Sequence, residues 1–155
     1  MNVRAAAAGD RDALARVIAS DDTFRPDEVA VALELVDLAL AGSTDYELRL
    51  AVDADGAVRG YVCYGPTPMT RHTYDLYWIV VDAAARGLGV ASRLVAAMEA
   101  ELRARGAGHV RVETSETDGY GAARALYARL GYPEASRLDD FYAPGDALIT
   151  YYKRL

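Results

Sequence analysis

The sequence predicts an α/β (α+β) fold, with a mixed, mostly antiparallel sheet of six to seven strands and about four helices. Residues 47–53 alternate polar with apolar side chains, residues 55–56 supply a turn, and residues 58–64 are a partner strand, which together is typical of an antiparallel hairpin. Residues 74–81 and 109–114 are strand-like and are separated by a helical pattern, which indicates a central parallel βαβ unit. A chain that contains both connections must form a mixed sheet.

The N-terminal part of the chain predicts one short strand followed by two helices. The strand covers residues 2–6, and Asp10 is a suitable N-cap for a helix that fades near Ser20. Pro26 suits the first position of the second helix, because its missing N–H is not needed there, and Gly42 ends that helix.

The rest of the chain completes the pattern. After the hairpin strands 47–53 and 58–64 we expect a loop at 65–72 and the central strand at 74–81. The remaining predicted elements are a helix at 87–105 ended by Gly106, a strand at 109–114, a helix at 119–130 ended by Gly131, and strands at 135–142 and 147–154 around the turn 143–146.

Composition limits the class of protein. A length of 155 residues with 52% apolar and 26% charged residues predicts one globular domain over residues 1–155. A net charge of -6 argues against nucleic-acid and anionic-membrane partners, because phosphates would be repelled, and favours a cationic one. Cys63 is the only cysteine, so no internal disulfide forms. With no secretory leader or membrane-spanning run, we expect a cytoplasmic protein.

The glycines that follow the central strand are the clearest candidate for a ligand site. Residues 86–89, Arg-Gly-Leu-Gly, join that strand to the longest helix, and we call them the glycine turn. Glycine lets the backbone approach a ligand closely, and the N–H groups that begin a helix attract phosphate. The alternative is that the two glycines only relieve crowding in a tight turn.

The glycine turn and the last helix resemble motifs of the GCN5-related N-acetyltransferase (GNAT) superfamily. Its signature Q/R-x-x-G-x-G/A is matched by Arg86, Gly89 and Ala91 between strand and helix. Its downstream motif N-x-x-A-x-x-L/F-Y-x-x-x-G-F/Y is matched by Ala123, Leu126, Tyr127, Gly131 and Tyr132, with Tyr120 in place of the asparagine. The order of predicted elements agrees with that family along the whole chain.

The resemblance implies a GNAT-like fold whose βαβ unit binds acetyl-CoA, the acyl donor. In that family the strand before the signature pairs with the pantetheine arm, and the turn after it holds the pyrophosphate. The residues that the resemblance places at the cofactor are Ile79, Val80, Val81, Arg86, Gly87, Leu88, Gly89, Val90, Ala91, Ser92, Tyr120 and Ala123.

The same resemblance suggests catalytic residues for acetyl transfer to an amine. Tyr127 is the candidate acid for the departing thiolate, although a helical tyrosine can also be simply part of the core. Asp75 and Glu113 are the two candidate bases, and a water relay is the third option; either acid can instead be a solvated residue at a strand end. A backbone N–H of Ile79 or Val80 is the candidate oxyanion donor.

Six other residues attract attention without a predicted role in chemistry. Cys63 lies within an apolar strand with no adjacent base, which favours a buried structural thiol over an acyl-carrying nucleophile. His72 and His109 lack partners at metal-ligand spacing, so no metal is expected. Tyr74, Tyr77 and Trp78 fit either an acceptor pocket or an ordinary half-buried strand.

The acceptor is therefore expected to be a primary amine of an unidentified small molecule or peptide. We expect its pocket to include the region near Phe24 and the loop 65–72. The sequence leaves open whether the protein is a homodimer. Two other functions remain: a non-catalytic acyl-CoA sensor with the same fold, and a Rossmann-type dinucleotide-binding protein, because residues 87–92 approach the G-x-G-x-x-G/A fingerprint.

Overall fold

The computed structural model describes all residues from 1 to 155, and their elements follow the predicted order. The strands are β1 (Asn2–Ala5), β2 (Glu47–Val52), β3 (Val58–Pro66), β4 (Thr73–Val81), β5 (His109–Ser115), β6 (Glu134–Ala143) and β7 (Asp146–Arg154). The helices are α1 (Arg11–Ala19), α2 (Pro26–Leu40), α3 (Val90–Ala104) and α4 (Gly121–Arg129). None of these helices is both long and apolar enough to cross a membrane.

The seven strands form one sheet in the order β1-β2-β3-β4-β5-β7-β6. Every neighbouring pair is antiparallel except β4 and β5, which are joined through α3. The predicted mixed, mostly antiparallel sheet and its central βαβ unit are confirmed. A single parallel pair does not agree with the Rossmann-type alternative, which requires several βαβ units in succession.

Helices cover both faces of the sheet, and the alternation of side chains along the strands gives each face its own core. On β3, Tyr61 and Cys63 belong to the core under α1 and α2, whereas Val62 and Tyr64 belong to the core under α3 and α4. Burial raises the pKa of the Cys63 thiol to about 12, so the group is neutral at physiological pH. The prediction of a buried structural cysteine is confirmed.

The two central strands separate partway along their length. β4 and β5 pair only from Thr73 with His109 to Leu76 with Val112, although β4 continues to Val81. Along its other edge, β4 stays paired with β3, with an irregularity in register at Tyr77. The second half of β4 therefore has no strand partner on the β5 side, and a gap opens between the two strands.

A buried ion pair joins α3 and the end of α4 to β7. The Lys153 ammonium on β7 donates hydrogen bonds to both oxygens of Glu99 on α3, at 2.9 and 3.1 Å, and to the carbonyl of Leu130 at 2.8 Å. The Tyr132 hydroxyl donates to Glu99 Oε1 at 2.8 Å. Because Glu99 is buried, these contacts set its position closely.

Three local predictions need correction. The helix expected at 87–105 begins at Val90, because the positive φ angles of Gly87 (79°) and Gly89 (74°) are not helical. The helix expected at 119–130 begins at Gly121, after one 3-10 turn. The carboxylate of Asp10 does not cap α1, since it accepts hydrogen bonds from the Arg4 guanidinium and the Ala7 N–H.

Candidate active site

The gap between β4 and β5 opens into a cavity of about 1050 Å³. Its walls come from the segment before α2, the first turns of α2, the second half of β4, the glycine turn, the start of α3, the end of β5, α4 and the β6–β7 turn. Ligand pockets in proteins commonly measure about 300–1,000 Å³, so this cavity can hold an extended ligand and a second, smaller one.

The glycine turn presents backbone N–H groups to the cavity. Gly89 is the N-cap of α3, and no side chain there bonds to the first turn of the helix. A Cβ atom added at Gly87 or Gly89 would meet no heavy atom within 4 Å, so the space beside both residues is open. The first N–H groups of a helix lack partners within it and carry partial positive charge. The turn therefore fits a pyrophosphate group.

Most of the predicted cofactor residues line this cavity, and two do not. The cavity walls include Ile79, Val81, Arg86, Gly87, Gly89, Val90, Ala91, Ser92, Tyr120 and Ala123. The Val80 side chain is buried in the core under α1 and α2, and the Leu88 side chain is 64% exposed outside the cavity. Leu88 can contribute only its backbone. The backbone of Val80 pairs with Tyr61 of β3, so the prediction that Val80 contacts the cofactor or donates to the oxyanion is corrected. Arg86 also forms an ion pair with Asp21 at 3.3 Å.

Tyr127 is the buried phenol of the cavity wall. It is 4% exposed and packs against the rings of Tyr132 and Tyr151, with centroids 6.0 and 5.5 Å away. Burial, with a smaller contribution from Tyr151, raises the pKa of its hydroxyl well above the ordinary value. The hydroxyl makes no hydrogen bond within the protein, in contrast to that of Tyr132. A protonated donor without a partner is thus available to a ligand.

Glu113 also lines the cavity, at the point where β5 has separated from β4. Its side chain is 46% exposed, and its nearest cation is the Arg111 guanidinium at 3.6 Å. That distance exceeds normal hydrogen-bond length, so the carboxylate oxygens remain able to accept a proton from an incoming group.

Asp75 lies outside the cavity and is occupied by other contacts. Its carboxylate accepts two hydrogen bonds from the Arg111 guanidinium, at 2.6 and 3.1 Å, and one from the Thr67 hydroxyl at 2.9 Å. The residue is only 6% exposed and does not appear in the cavity wall. This position argues against Asp75 as the base, because an acceptor amine cannot reach it.

The fold also brings residues to the cavity that the sequence did not indicate. Tyr142 and Asp146, from the β6–β7 turn, line it beside Ser115. Burial raises the pKa of the Tyr142 hydroxyl, and the charges of Glu113 and Asp146 add to the effect. No local pattern could have found these residues, because the β6–β7 turn reaches the cavity only through the pairing of β7 with β5.

The expected acceptor region is partly corrected. Phe24 lines the cavity, and so do Tyr77 and Trp78, but Tyr74 does not. The loop 65–72 contributes no wall residue, because β3 and β4 place it at the other end of the sheet from the glycine turn.

The cavity has an excess of negative charge. Its acidic residues are Asp21, Asp27, Glu28, Glu113 and Asp146, and its basic residues are Arg25, Arg86 and Arg129. Ion pairs join Arg86 to Asp21, and Arg25 to both Asp27 and Glu28. Glu113 and Asp146 are left without a cation of the cavity wall at contact distance. No group of three or more potential metal ligands occurs in the chain.

Comparison with known proteins agrees with this geometry. The family model described as Acetyltransferase (GNAT) family matches residues 16–132. A solved structure assigned to the GNAT acetyltransferase family, from Desulfovibrio desulfuricans, is 36% identical, with a TM-score of 0.92 over 99% of this chain and 98% of the other. No curated protein sequence matches this chain.

More distant structures share the fold. An aminoglycoside 6'-N-acetyltransferase complexed with coenzyme A is 17% identical, with a TM-score of 0.76 over 99% of this chain and 97% of the other. A ribosomal-protein-alanine N-acetyltransferase from Brucella melitensis is 22% identical, with a TM-score of 0.77 over the full length of both chains. The chain belongs to the GNAT acetyltransferase family and is by class an N-acetyltransferase.

Proposed function

We propose that residues 1–155 form one N-acetyltransferase domain that moves an acetyl group from acetyl-CoA directly to a primary amine of a small molecule or peptide. The observation that carries this proposal is a single cavity lined by the glycine turn, Tyr127 and Glu113. Family membership and the coenzyme A bound to a structural neighbour support acetyl-CoA as the donor.

In this proposal the glycine turn and the backbone of β4 hold the donor. The N–H groups from Gly87 to Ser92 bind the pyrophosphate, and the backbone groups of Ile79 and Val81, which face the gap, bind the pantetheine arm. Acetyl-CoA supplies an activated acetyl group on a thiol leaving group. The N–H of Ile79 stabilises the oxyanion, because hydrogen-bond donors aimed at developing charge lower the barrier.

Glu113 acts as the general base in this proposal. It accepts a proton from the acceptor ammonium, since only the neutral amine is a nucleophile. Support comes from its position in the cavity wall and from its free oxygens, whereas Asp75 is committed to Arg111 and Thr67. A water molecule between the amine and the Glu113 carboxylate can relay the proton, so the two groups need not be in direct contact.

Tyr127 acts as the hydrogen-bond donor and acid toward the departing thiolate. Its high pKa keeps the proton on the hydroxyl throughout the neutral range, and no protein group competes for that proton. Glu113 and Tyr127 therefore carry the two proton transfers from opposite walls of the cavity, one on β5 and one on α4.

Release of coenzyme A from acetyl-CoA, measured with a thiol reagent across a panel of amines, tests the proposal. Calorimetric titration with acetyl-CoA and NAD accompanies it. We expect binding of acetyl-CoA, none of NAD, and thiol release with some amines but not with buffer alone. Acetyl-CoA binding without thiol release for any amine would instead indicate a sensor. Binding of NAD alone would contradict the proposal entirely.

The glycine turn provides a more specific prediction. Gly89→Ala weakens coenzyme A binding by about tenfold, because an L residue at a left-handed φ costs roughly 1–2 kcal/mol and shifts the N–H groups. Calorimetry measures the dissociation constant. Gly56→Ala is the matched control: Gly56 also has positive φ (83°) and open space, but it lies in the β2–β3 turn. The control should lose thermal stability and keep its affinity; equal affinity loss in both variants would contradict the assignment.

A further inference from the structure

A hydrogen bond joins two residues of the cavity wall that are far apart in the chain. The Tyr120 hydroxyl donates to Glu28 Oε2, and the two residues are 92 positions apart. Tyr120 ends the 3-10 turn before α4, whereas Glu28 lies in the first turn of α2. Both residues line the cavity. We call this contact the Tyr120–Glu28 clasp.

Glu28 is held in place for this contact. Its Oε1 accepts a hydrogen bond from the Arg25 backbone N–H at 3.2 Å, and the Arg25 side chain lies 3.6 Å away. On the other side, burial and the neighbouring Glu28 carboxylate raise the pKa of Tyr120, so the phenol stays protonated and able to donate. The clasp is therefore a charge-assisted hydrogen bond between positioned groups.

The clasp is the side-chain hydrogen bond that joins the start of α2 to the segment before α4. α2 packs mainly on α1 and β2, and its other long-range side-chain hydrogen bonds join Asp37, near its C-terminal end, to Arg11. α4 packs on the turn that precedes it and contributes Leu126 and Tyr127 to the opposite core. Without the clasp, the first turn of α2 would lose its hydrogen bond to the α4 side of the cavity.

We propose that Tyr120 determines acceptor specificity: the clasp holds the first turn of α2 across the acceptor side of the cavity, so that slender unbranched amines enter in preference to amines with bulky rings. This inference rests on the proposed N-acetyltransferase function. The Tyr120 hydroxyl donates its one proton to Glu28, so it has none left to donate to acetyl-CoA. An ammonium also suits a cavity whose carboxylates outnumber its arginines.

The Tyr120→Phe variant tests the clasp, because it keeps the ring and removes the hydrogen bond. n-Butylamine and cyclohexylmethylamine are the two acceptors, since they carry the same charge and differ in width. We expect the ratio of kcat/KM for butylamine to that for cyclohexylmethylamine to fall at least fivefold, while the dissociation constant for coenzyme A stays within about twofold. An unchanged ratio would overturn the inference.

Tyr64→Phe is the matched control. Its hydroxyl also donates to a glutamate, Glu101, at 3.2 Å, but Tyr64 does not line the cavity. The control should keep the wild-type ratio; a fall equal to that of Tyr120→Phe would show that the effect is not specific to the clasp and would overturn the inference.

Hydrogen exchange separates failure of the clasp from failure of the enzymatic proposal. In Tyr120→Phe the amides of residues 29–31 should exchange faster than in wild type, and in Tyr64→Phe they should not. Unchanged exchange would overturn the clasp even if the protein acetylates amines. Faster exchange in a protein that acetylates no amine would confirm the clasp as a contact. It would overturn the role of the clasp in acceptor selection, together with the proposed function.

A double variant gives an internal check. Glu28→Ala and Tyr120→Phe remove the same hydrogen bond, so the double variant should change the acceptor ratio no more than the larger single effect. If the fold-change in the double variant instead equalled the product of the two single fold-changes, the two residues would act separately and the clasp would be rejected.

Discussion

Tyr127→Phe lowers kcat by about ten- to a hundredfold, while the dissociation constant for coenzyme A stays within about twofold. The substitution removes one hydroxyl whose proton has no partner in the protein, and it keeps the ring that packs against Tyr132 and Tyr151. Loss of an acid slows the step that expels the thiolate without removing a binding contact. Steady-state thiol release and calorimetry measure the two quantities.

Tyr132→Phe is the control for this prediction. Tyr132 belongs to the same aromatic cluster, but its hydroxyl is bonded to Glu99 and it does not line the cavity. That variant should unfold at a lower temperature, because Glu99 loses one buried hydrogen bond, and it should keep most of its kcat. If Tyr127→Phe retained the wild-type kcat, the hydroxyl would have no part in the chemistry and Tyr127 would be only a core residue.

Glu113→Gln lowers kcat/KM by about a hundredfold at neutral pH. The difference in kcat/KM between wild type and variant becomes smaller as the pH rises. An alkylamine with a pKa near that of lysine, about 10.4, is almost fully protonated at neutral pH, so a base is needed to expose the nucleophile. At higher pH more of the amine is already neutral, and the base matters less. The ratio of wild-type to variant kcat/KM, measured across pH with one amine, reports this trend.

Asp75→Asn provides the contrast that assigns the base. Asp75 is buried against Arg111, so its loss should lower the melting temperature, with kcat/KM within about threefold of wild type. The reverse outcome, a large pH-dependent loss in Asp75→Asn and none in Glu113→Gln, would assign the base to Asp75. Small effects in both variants would favour direct deprotonation by water.

The parts of the molecule that could be predicted from sequence are those fixed by short-range rules. Alternation along β2, the turn at 55–56 and the β4–α3–β5 connection predicted the mixed sheet, because each depends on residues close in the chain. The positions of the glycines predicted the turn that precedes α3. The same glycines also explain the misplaced start of α3, since the sequence shows where glycine occurs but not which φ angle it takes.

The choice between the two candidate bases required the tertiary structure. Asp75 and Glu113 are both acidic residues in strands and look equivalent in sequence. Cross-strand pairing sets Asp75 opposite Arg111, whereas Glu113 follows the point at which β4 and β5 separate. The Asp75 carboxylate is hydrogen-bonded to the Arg111 guanidinium, whereas the Glu113 carboxylate is 3.6 Å from it and lines the cavity.

The sequence by itself determined the order of elements, the family and the position of the glycine turn, because periodicity, turn residues and short motifs act within a few residues. Only the tertiary structure decided which side chains share the cavity. Tyr120 meets Glu28 from the opposite wall, and Tyr142 and Asp146 arrive through the pairing of β7 with β5. Such contacts join residues far apart in the chain, so they depend on the packing of whole elements rather than on any local pattern.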